Sequence, residues 1–316
     1  MKKFYFLIAA LLCHLGVFAQ QEQQYTQFMY NKLGLNPAYA GAEDALTFTG
    51  IYRNQWMGLE GAPVTQVLNV NAPLLNRRLG LGLNISHHTI GILERWTINA
   101  SYAYRVRMGR GNLGIGVQGS ARFVGMDYND PRLKATQDIT TDGGIPVGDQ
   151  SRVVPNFGAG LYYDTPHFYF GLSAPRLITN DIDFNSIDGI VARESEHVFM
   201  MTGLILDVND LIQLNPQVLI KYSPDVPLDA DVNLSFIFAG RYTAGVTYRS
   251  GGSVDSFGES IDLLLAAKLS EHWLFGVSYD VGLTELRDYH NGSMEGVLRY
   301  SLGQDQGNDI INPRFF

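Results

Sequence analysis

The residues whose types and spacing could carry chemistry fall into a few groups, and the first resembles a cofactor motif. Residues 114–119 have the glycine spacing of a dinucleotide-binding fingerprint. That motif needs a strand before it and a helix after it, whereas here apolar and polar residues keep alternating as far as Phe123. We therefore interpret the segment as one strand whose small residues face a crowded interior, and no cofactor is predicted.

Metal binding and hydrolysis are the other chemistries to consider. His87 and His88 are adjacent, so on a strand their side chains would point to opposite faces. Asp181, Asp183 and Asp188 in the loop 175–196 offer the oxygen ligands that Ca²⁺ prefers, although an acidic loop is more often simply solvated. No Ser, His and carboxylate group at a meaningful spacing indicates a hydrolase. The sequence therefore predicts no metal site and no enzyme.

The first residues indicate export from the cytoplasm. Residues 1–3 are cationic, residues 4–18 form an almost unbroken apolar run, and Ala19 closes a short cleavage-type motif. A membrane-spanning helix would need about 20 apolar residues and flanking anchors. We therefore predict a signal peptide cleaved near Ala19. The single cysteine, Cys13, lies within it, which leaves the mature chain without disulfides or thiolate sites.

Composition narrows the class of protein further. The 316 residues include 34 Gly, 17 Tyr and 17 Phe, and only 17% are charged, against about 25% in an ordinary soluble protein. No stretch beyond residue 20 is long and apolar enough for a transmembrane helix, so a membrane could be crossed only by a closed sheet. The formal charge of −8 disfavours a nucleic-acid partner, because no basic stripe is available for phosphates.

Apolar and polar residues alternate over segments of membrane length. Between Trp96 and Val106 every second residue is apolar or aromatic, and similar alternation recurs near residues 79–85, 113–117, 232–238 and 273–279. A tilted membrane strand needs about 10 residues. A soluble β-sandwich gives the same alternation and is the alternative, although its strands typically have about 5–6 residues.

These patterns predict an all-β chain, a transmembrane antiparallel up-and-down β-barrel of about fourteen strands with an N-terminal periplasmic or luminal segment. The predicted strands are 44–55, 64–72, 79–87, 94–107, 112–124, 153–164, 167–174, 197–208, 211–222, 228–239, 241–250, 258–269, 273–282 and 292–302. Their connections alternate between tight turns and long loops, as in outer-membrane barrels, which predicts that the long loops face outward. The predicted units are the signal peptide 1–19, a hatch segment 20–43, the barrel 44–302 and a periplasmic tail 303–316.

Two features of the barrel follow from this alternation. Tyrosines near strand ends predict aromatic girdles at the membrane surfaces: Tyr39, Tyr52, Tyr128, Tyr162, Tyr163, Tyr169, Tyr222, Tyr242, Tyr248, Tyr279, Tyr289 and Tyr300. Charged residues of both signs are predicted to face inward and form ion pairs: Arg105, Arg107, Arg122, Asp262, Lys268, Asp280, Glu295 and Arg299.

The N-terminal region resembles the signature of the PorP/SprF family. The similarity lies in residues 27–31, 36–41, 52–56 and 61–65, and residues 312–316 are similar to that family's ending. The residues that carry the resemblance are Asn36, Pro37, Ala38, Gly41, Arg53, Gln55, Trp56, Gly61 and Pro63.

The resemblance implies an outer-membrane component of type IX secretion and gliding that helps export or anchor a secreted, adhesin-like surface protein. Its implied partners are that adhesin or its C-terminal sorting domain, other subunits of the secretion system and outer-membrane lipid. The alternative function is transport of small hydrophobic or polar solutes, because the fatty-acid channel family also has an N-terminal hatch and an Asn-Pro-Ala turn.

Local chemistry suggests roles for parts of this signature. Pro37 disfavours a helical conformation at Asn36 and sets a turn, so the segment could fold back into the lumen. Alternation places Arg53 and Gln55 inward and Tyr52 and Trp56 outward. Arg53 could pair with a luminal carboxylate such as Asp262 or Asp280, or it could contact a partner directly.

Two long acidic loops, 125–152 and 175–196, contain more apolar residues than a merely solvated loop needs. Long loops are usually functional or disordered. We therefore predict that they hold the partner through an apolar surface inside an acidic rim, formed by Ile139, Ile145, Val147, Ile178, Ile182, Phe184, Ile187 and Ile190.

Overall fold

The computed structural model describes residues 23–132, 148–182, 193–224, 226–251 and 258–302, most of which lie in strands. The predicted signal peptide and C-terminal tail lie outside these residues and stay predictions. The strands are β1 (Leu46–Asn54), β2 (Val64–Leu74), β3 (Leu79–Ile90), β4 (Leu93–Met108), β5 (Gly111–Asp127), β6 (Asp149–Asp164), β7 (Phe168–Arg176), β8 (Asn180–Asp181), β9 (Arg193–Glu194), β10 (His197–Leu204), β11 (Leu206–Asn209), β12 (Ile212–Tyr222), β13 (Asp229–Phe238), β14 (Tyr242–Arg249), β15 (Ser260–Lys268), β16 (Trp273–Gly282) and β17 (Ser293–Leu302).

The strands close into a barrel. Neighbours along the chain pair antiparallel, β1 pairs with β17, and β10 joins β7 to β12. β10 and β11 run against the same partner β12 with a break at Ile205, so they act as one strand. The result is a closed antiparallel barrel of 14 strands. The predicted barrel is confirmed, and the β-sandwich alternative is wrong because a sandwich would leave edge strands unpaired.

The two ends of the barrel differ. The end where β1 begins, here called the turn end, carries short connections such as 75–78 and 109–110; the opposite end, the loop end, carries 55–63, 128–148 and 177–196. The loop end also has one tight connection, Gly91-Ile92, because β3 and β4 extend further than predicted. Gly91 has a positive φ of 56°, which glycine adopts at little cost.

Side-chain burial along the strands is the reverse of that in a soluble barrel. In β4 the polar residues Thr97, Asn99 and Ser101 are buried inside, whereas Trp96 and Tyr102 are exposed on the outer face. Large apolar residues are exposed in the same way around the barrel, which is the surface that a lipid bilayer covers. Among the described residues, no helix is long and apolar enough to cross a membrane.

The predicted aromatic girdle is only partly correct. Tyr52, Tyr222, Tyr242, Tyr279 and Tyr289 are exposed. Three of the tyrosines assigned to the girdle are instead buried inside the barrel: Tyr39, Tyr162 and Tyr169. Their rings pack together: Tyr39 meets Tyr162 edge to face, with centroids 5.1 Å apart, and Tyr162 stacks on Tyr169 at 5.8 Å. Position near a strand end was the wrong criterion: for Tyr162 and Tyr169 the face of the strand decides whether the ring meets lipid or the lumen, and Tyr39 lies in the 3-10 turn Pro37–Tyr39 before the first strand.

Residues 23–43, here called the luminal segment, run through the interior of the barrel. They contain the short helix α1 (Lys32–Leu35) between two 3-10 turns, Phe28–Tyr30 and Pro37–Tyr39. Gln24 donates a hydrogen bond to Glu259 near the loop end, and Gly41 packs against Gly80 near the turn end. The chain therefore crosses the lumen from the loop end to the turn end before β1 begins.

Candidate functional site in the filled lumen and at the loop end

Glycines on the inner wall receive the backbone of the luminal segment. A Cβ atom built on Gly80 or Gly116 would overlap backbone atoms of Ala40 or Ala38, respectively. One built on Gly82 would lie 2.5 Å from a methyl carbon of Leu33. At Gly80 and Gly116 the wall therefore contacts the backbone of the segment directly, and at Gly82 it contacts the Leu33 side chain. Residues 114–119 lie within β5, so the strand interpretation of this glycine motif is confirmed.

The Asn36-Pro37-Ala38 turn is fixed on both sides. The Asn36 carboxamide accepts a hydrogen bond from Ala38 N at 2.9 Å and donates one to the carbonyl of Leu161 in β6 at 2.9 Å. Pro37 is the first residue of the following 3-10 turn, where its fixed φ and missing N–H carry no penalty. Gly41 has φ +66° and donates to Asn71 Oδ1 at 2.6 Å. These signature residues therefore attach the segment to the wall.

A buried ion cluster attaches the start of the segment near the loop end. Arg53 lies 2.7 Å from Asp280 and 3.3 Å from Glu295. The backbone N–H groups of Thr26 and Gln27 donate to Glu295 at 3.0 and 2.8 Å, and the Thr26 hydroxyl donates to Asp280 at 2.7 Å. The predicted pairing of Arg53 with a luminal carboxylate is confirmed for Asp280. Asp262 instead faces Arg249, at 3.6 Å.

Further buried pairs connect other parts of the interior. Asp231 is 2.9 Å from both Lys221 and Arg249. Nearer the turn end, Arg105 pairs with Asp164, and Arg299 pairs with Glu43 of the luminal segment. The inward position predicted for Arg107 needs correction: its side chain is exposed, because β4 projects there beyond the end of its neighbour β3.

The remaining signature residues lie at the loop end. Gln55 and Trp56 line a cavity of about 180 Å³ together with Arg53, Arg249 and His290. The outward position predicted for Trp56 is wrong, because β1 ends at Asn54 and Trp56 takes a positive φ of 53°. Its ring lies near that of His290, with centroids 6.4 Å apart. Gly61 and Pro63 shape the same loop, where the Pro63 carbonyl accepts from Gln55 N at 2.9 Å and that of Gly61 from Gly91 N at 2.8 Å.

The predicted partner surface is described only in part. Ile178 is 41% exposed, whereas Ile182 is buried, so the two do not share one open surface. The other six positions lie outside the described residues: Ile139, Ile145, Val147, Phe184, Ile187 and Ile190. Asn156 in β6 holds the chain leaving β7, because its carboxamide accepts from Ile178 N at 3.0 Å and donates to Ile178 O at 2.7 Å.

Titratable groups near the loop end form local hydrogen-bonded pairs. Arg132 donates to Asp130 from both Nε, at 2.9 Å, and Nη2, at 2.6 Å, and this lowers the pKa of the Asp130 carboxyl to about 2. His87 bonds Glu94 and His88 bonds Thr65, each at 2.8 Å and on opposite faces of β3, as predicted. Within the described residues, no three His, Cys, Asp or Glu side chains are grouped as metal ligands would be. The side chains considered for Ca²⁺, those of Asp181, Asp183 and Asp188, are not described.

The fold and its interior define a class of protein: an outer-membrane β-barrel whose lumen is occupied by its own N-terminal segment. The chain belongs to the type IX secretion system membrane proteins PorP/SprF, whose family profile matches residues 17–300. None of the curated proteins matches the chain.

Solved outer-membrane barrels are similar to this chain in fold. The Acinetobacter baumannii outer membrane protein Omp33 has a TM-score of 0.46 and 8% identity, covering 83% of this chain and 100% of that one. A ΔS2S3 mutant of the monoaromatic hydrocarbon channel TodX has a TM-score of 0.49 and 12% identity, covering 85% and 93%. The porin KdgM, solved with oligogalacturonate, has a TM-score of 0.38 and 8% identity, covering 82% and 100%. At these values the likeness carries no argument about function.

The filled interior predicts low ionic conductance. The luminal segment and the buried ion pairs occupy the space through which ions would pass, so mature protein reconstituted in planar bilayers should show no large, steady ohmic pore. A variant lacking residues 23–43, if it inserts, is the control and should conduct more. A large steady conductance from the complete chain would contradict this prediction and favour a transporter.

Proposed function

We propose that this barrel helps to export or anchor a secreted, adhesin-like surface protein by binding it at the loop end. The observation that carries the proposal is the occupied lumen, because the luminal segment is bonded to the wall near both ends by buried groups. A partner can then bind to the surfaces of the barrel but cannot pass through its lumen. Membership of the type IX secretion family supports a role in protein traffic, and the same occupied lumen disfavours the solute transporter.

The geometry around β6 supports the loop end as the binding surface. β6 pairs with β7 only over residues 159–164, so its first half extends beyond the end of β7. Asn156 holds the chain that leaves β7, and the adjacent Leu177 and Ile178 are 49% and 41% exposed. A long connection held close to a rigid strand presents these apolar residues at a defined place, which favours recognition.

Replacing residues 180–191 by a Gly/Ser linker should release the partner from the cell surface. The barrel should stay heat-modifiable on gels, because its strands lie outside the replaced loop. The matched control replaces residues 284–289, which include the loop-end 3-10 turn Glu285–Tyr289 with no buried residue. Surface labelling of the partner on whole cells measures how much of it each of the two variants retains. If the partner stays attached, and only changes in the luminal segment or at Arg53 and Trp56 release it, the outer loops are not the binding surface.

A further inference from the structure

The turn end contains a basic notch that the secretion role does not use. The β4–β5 hairpin projects past the turn at residues 75–78, where Arg105 N donates to the carbonyl of Arg78 at 2.8 Å. The space between them has a volume of about 400 Å³ and opens at the turn end. We call it the turn-end notch; its lining includes Arg77, Arg78, Tyr104, Arg105, Arg107 and Asn112.

The protein neutralises the charges of the notch only in part. Arg77 forms an exposed pair with Asp44 at 2.8 Å. Arg105 is 5% exposed and pairs with Asp164 through Nη2, but its Nη1 has no hydrogen-bond partner. Arg78 and Arg107 are exposed, and neither forms an ion pair with any described residue. A buried guanidinium group with an unused donor is costly unless something accepts from it, so the notch is suited to an anion.

The position of the notch indicates which kind of molecule the anionic group belongs to. Tyr104, which lines it, lies on the outer face and is 47% exposed, and aromatic rings on that face mark the headgroup level of a bilayer. Below it the outer wall is apolar, with Leu81, Tyr102 and Ile115 between 44% and 50% exposed. Arginine groups at the headgroup level beside an apolar wall match a phosphate linked to acyl chains.

We propose that the turn-end notch binds the phosphate of an anionic phospholipid, with its acyl chains lying on the apolar wall formed by β3, β4 and β5. The turn end of such barrels normally faces the periplasm, so the lipid belongs to the periplasmic leaflet. Arg105 and Arg77 form the inner side of the site, and Arg78 and Arg107 supply the unneutralised charge. This inference rests on the membrane placement of the barrel and not on how a partner is held.

The test uses the complete mature protein in detergent, with phosphatidylglycerol as the probe and native mass spectrometry to measure its dissociation constant. In the double variant R78Q/R107Q we expect binding to weaken about 30-fold, which corresponds to about 2 kcal/mol at about 1 kcal/mol for each basic residue. Both side chains are exposed, so the barrel should fold normally and remain heat-modifiable. Partner retention on cells should not change, which separates this test from that of the proposed function.

Arg241→Gln is the matched control. Arg241 is also an arginine at the turn end, but its guanidinium already donates to the carbonyls of Lys268 and Leu269 and lies 5.7 Å from the Tyr242 ring centroid. We expect this variant to bind phosphatidylglycerol as the unchanged protein does. Equal binding by R78Q/R107Q and the unchanged protein would overturn the proposal. So would displacement of the lipid by millimolar inorganic phosphate, because that result would indicate a site for a free anion.

Discussion

Replacing Gly116 by Ala should destabilise the folded barrel by about 1–3 kcal/mol or more, although the change adds a single methyl group. That methyl group would overlap the backbone of Pro37 and Ala38. Backbone atoms cannot rotate away as a side-chain end can, so the luminal segment or β5 must shift. The urea midpoint of the heat-modifiable form measures the loss, and limited proteolysis within residues 23–43 shows whether the segment has left the wall.

The same strand provides the matched control. A Cβ added at Gly119 meets nothing within 4 Å, and by alternation it points to the outer face. Gly119→Ala should therefore change stability by less than about 0.5 kcal/mol. Gly80→Ala, which meets the backbone of Ala40, should behave like the Gly116 variant. Equal midpoints for the variants at Gly116 and Gly119 would show that the segment does not pack against the wall as described.

The sequence predicts the barrel well because alternation is a local property. Successive residues of a strand face lipid and lumen in turn, so the pattern repeats every second position. The sequence between Trp96 and Val106 is therefore enough to identify a membrane strand. The same rule could have placed Tyr162 correctly: Tyr162 and Tyr163 are adjacent and must face opposite sides, so both could not belong to a girdle. Tyr162 is buried, where it stacks on Tyr169 and meets Tyr39 edge to face.

The contents of the lumen could be predicted only in part. Inward glycines indicate a crowded interior, but Gly80 contacts Ala40 and Gly116 contacts Ala38 across long sequence separations that alternation does not encode. The sequence indicates that Arg53 pairs with a luminal carboxylate. It does not reveal the Thr26 hydroxyl, which accepts from Arg53 and donates to Asp280. Alternation also fails where a strand ends, which is why it placed Trp56 on the wrong side.

Replacing Arg53 by Met should cost about 3–5 kcal/mol of folding stability, because it leaves buried carboxylates without their cation. The side chains of Arg53, Asp280 and Glu295 are 2%, 4% and 0% exposed, so water cannot solvate the charges that remain. The urea midpoint should fall, and the start of the luminal segment should become open to proteases, since Thr26 and Gln27 donate to Glu295.

Arg77→Met is the control, because Arg77 pairs with Asp44 at 2.8 Å, almost the distance between Arg53 and Asp280, but its side chain is 56% exposed. Exposed pairs contribute at most about 1 kcal/mol, so burial is the main difference between the two variants. Adding Asp280→Asn and Glu295→Gln to Arg53→Met removes the unpaired charges and should restore much of the loss. If Arg53→Met costs no more than Arg77→Met, the cluster does not hold the luminal segment in place.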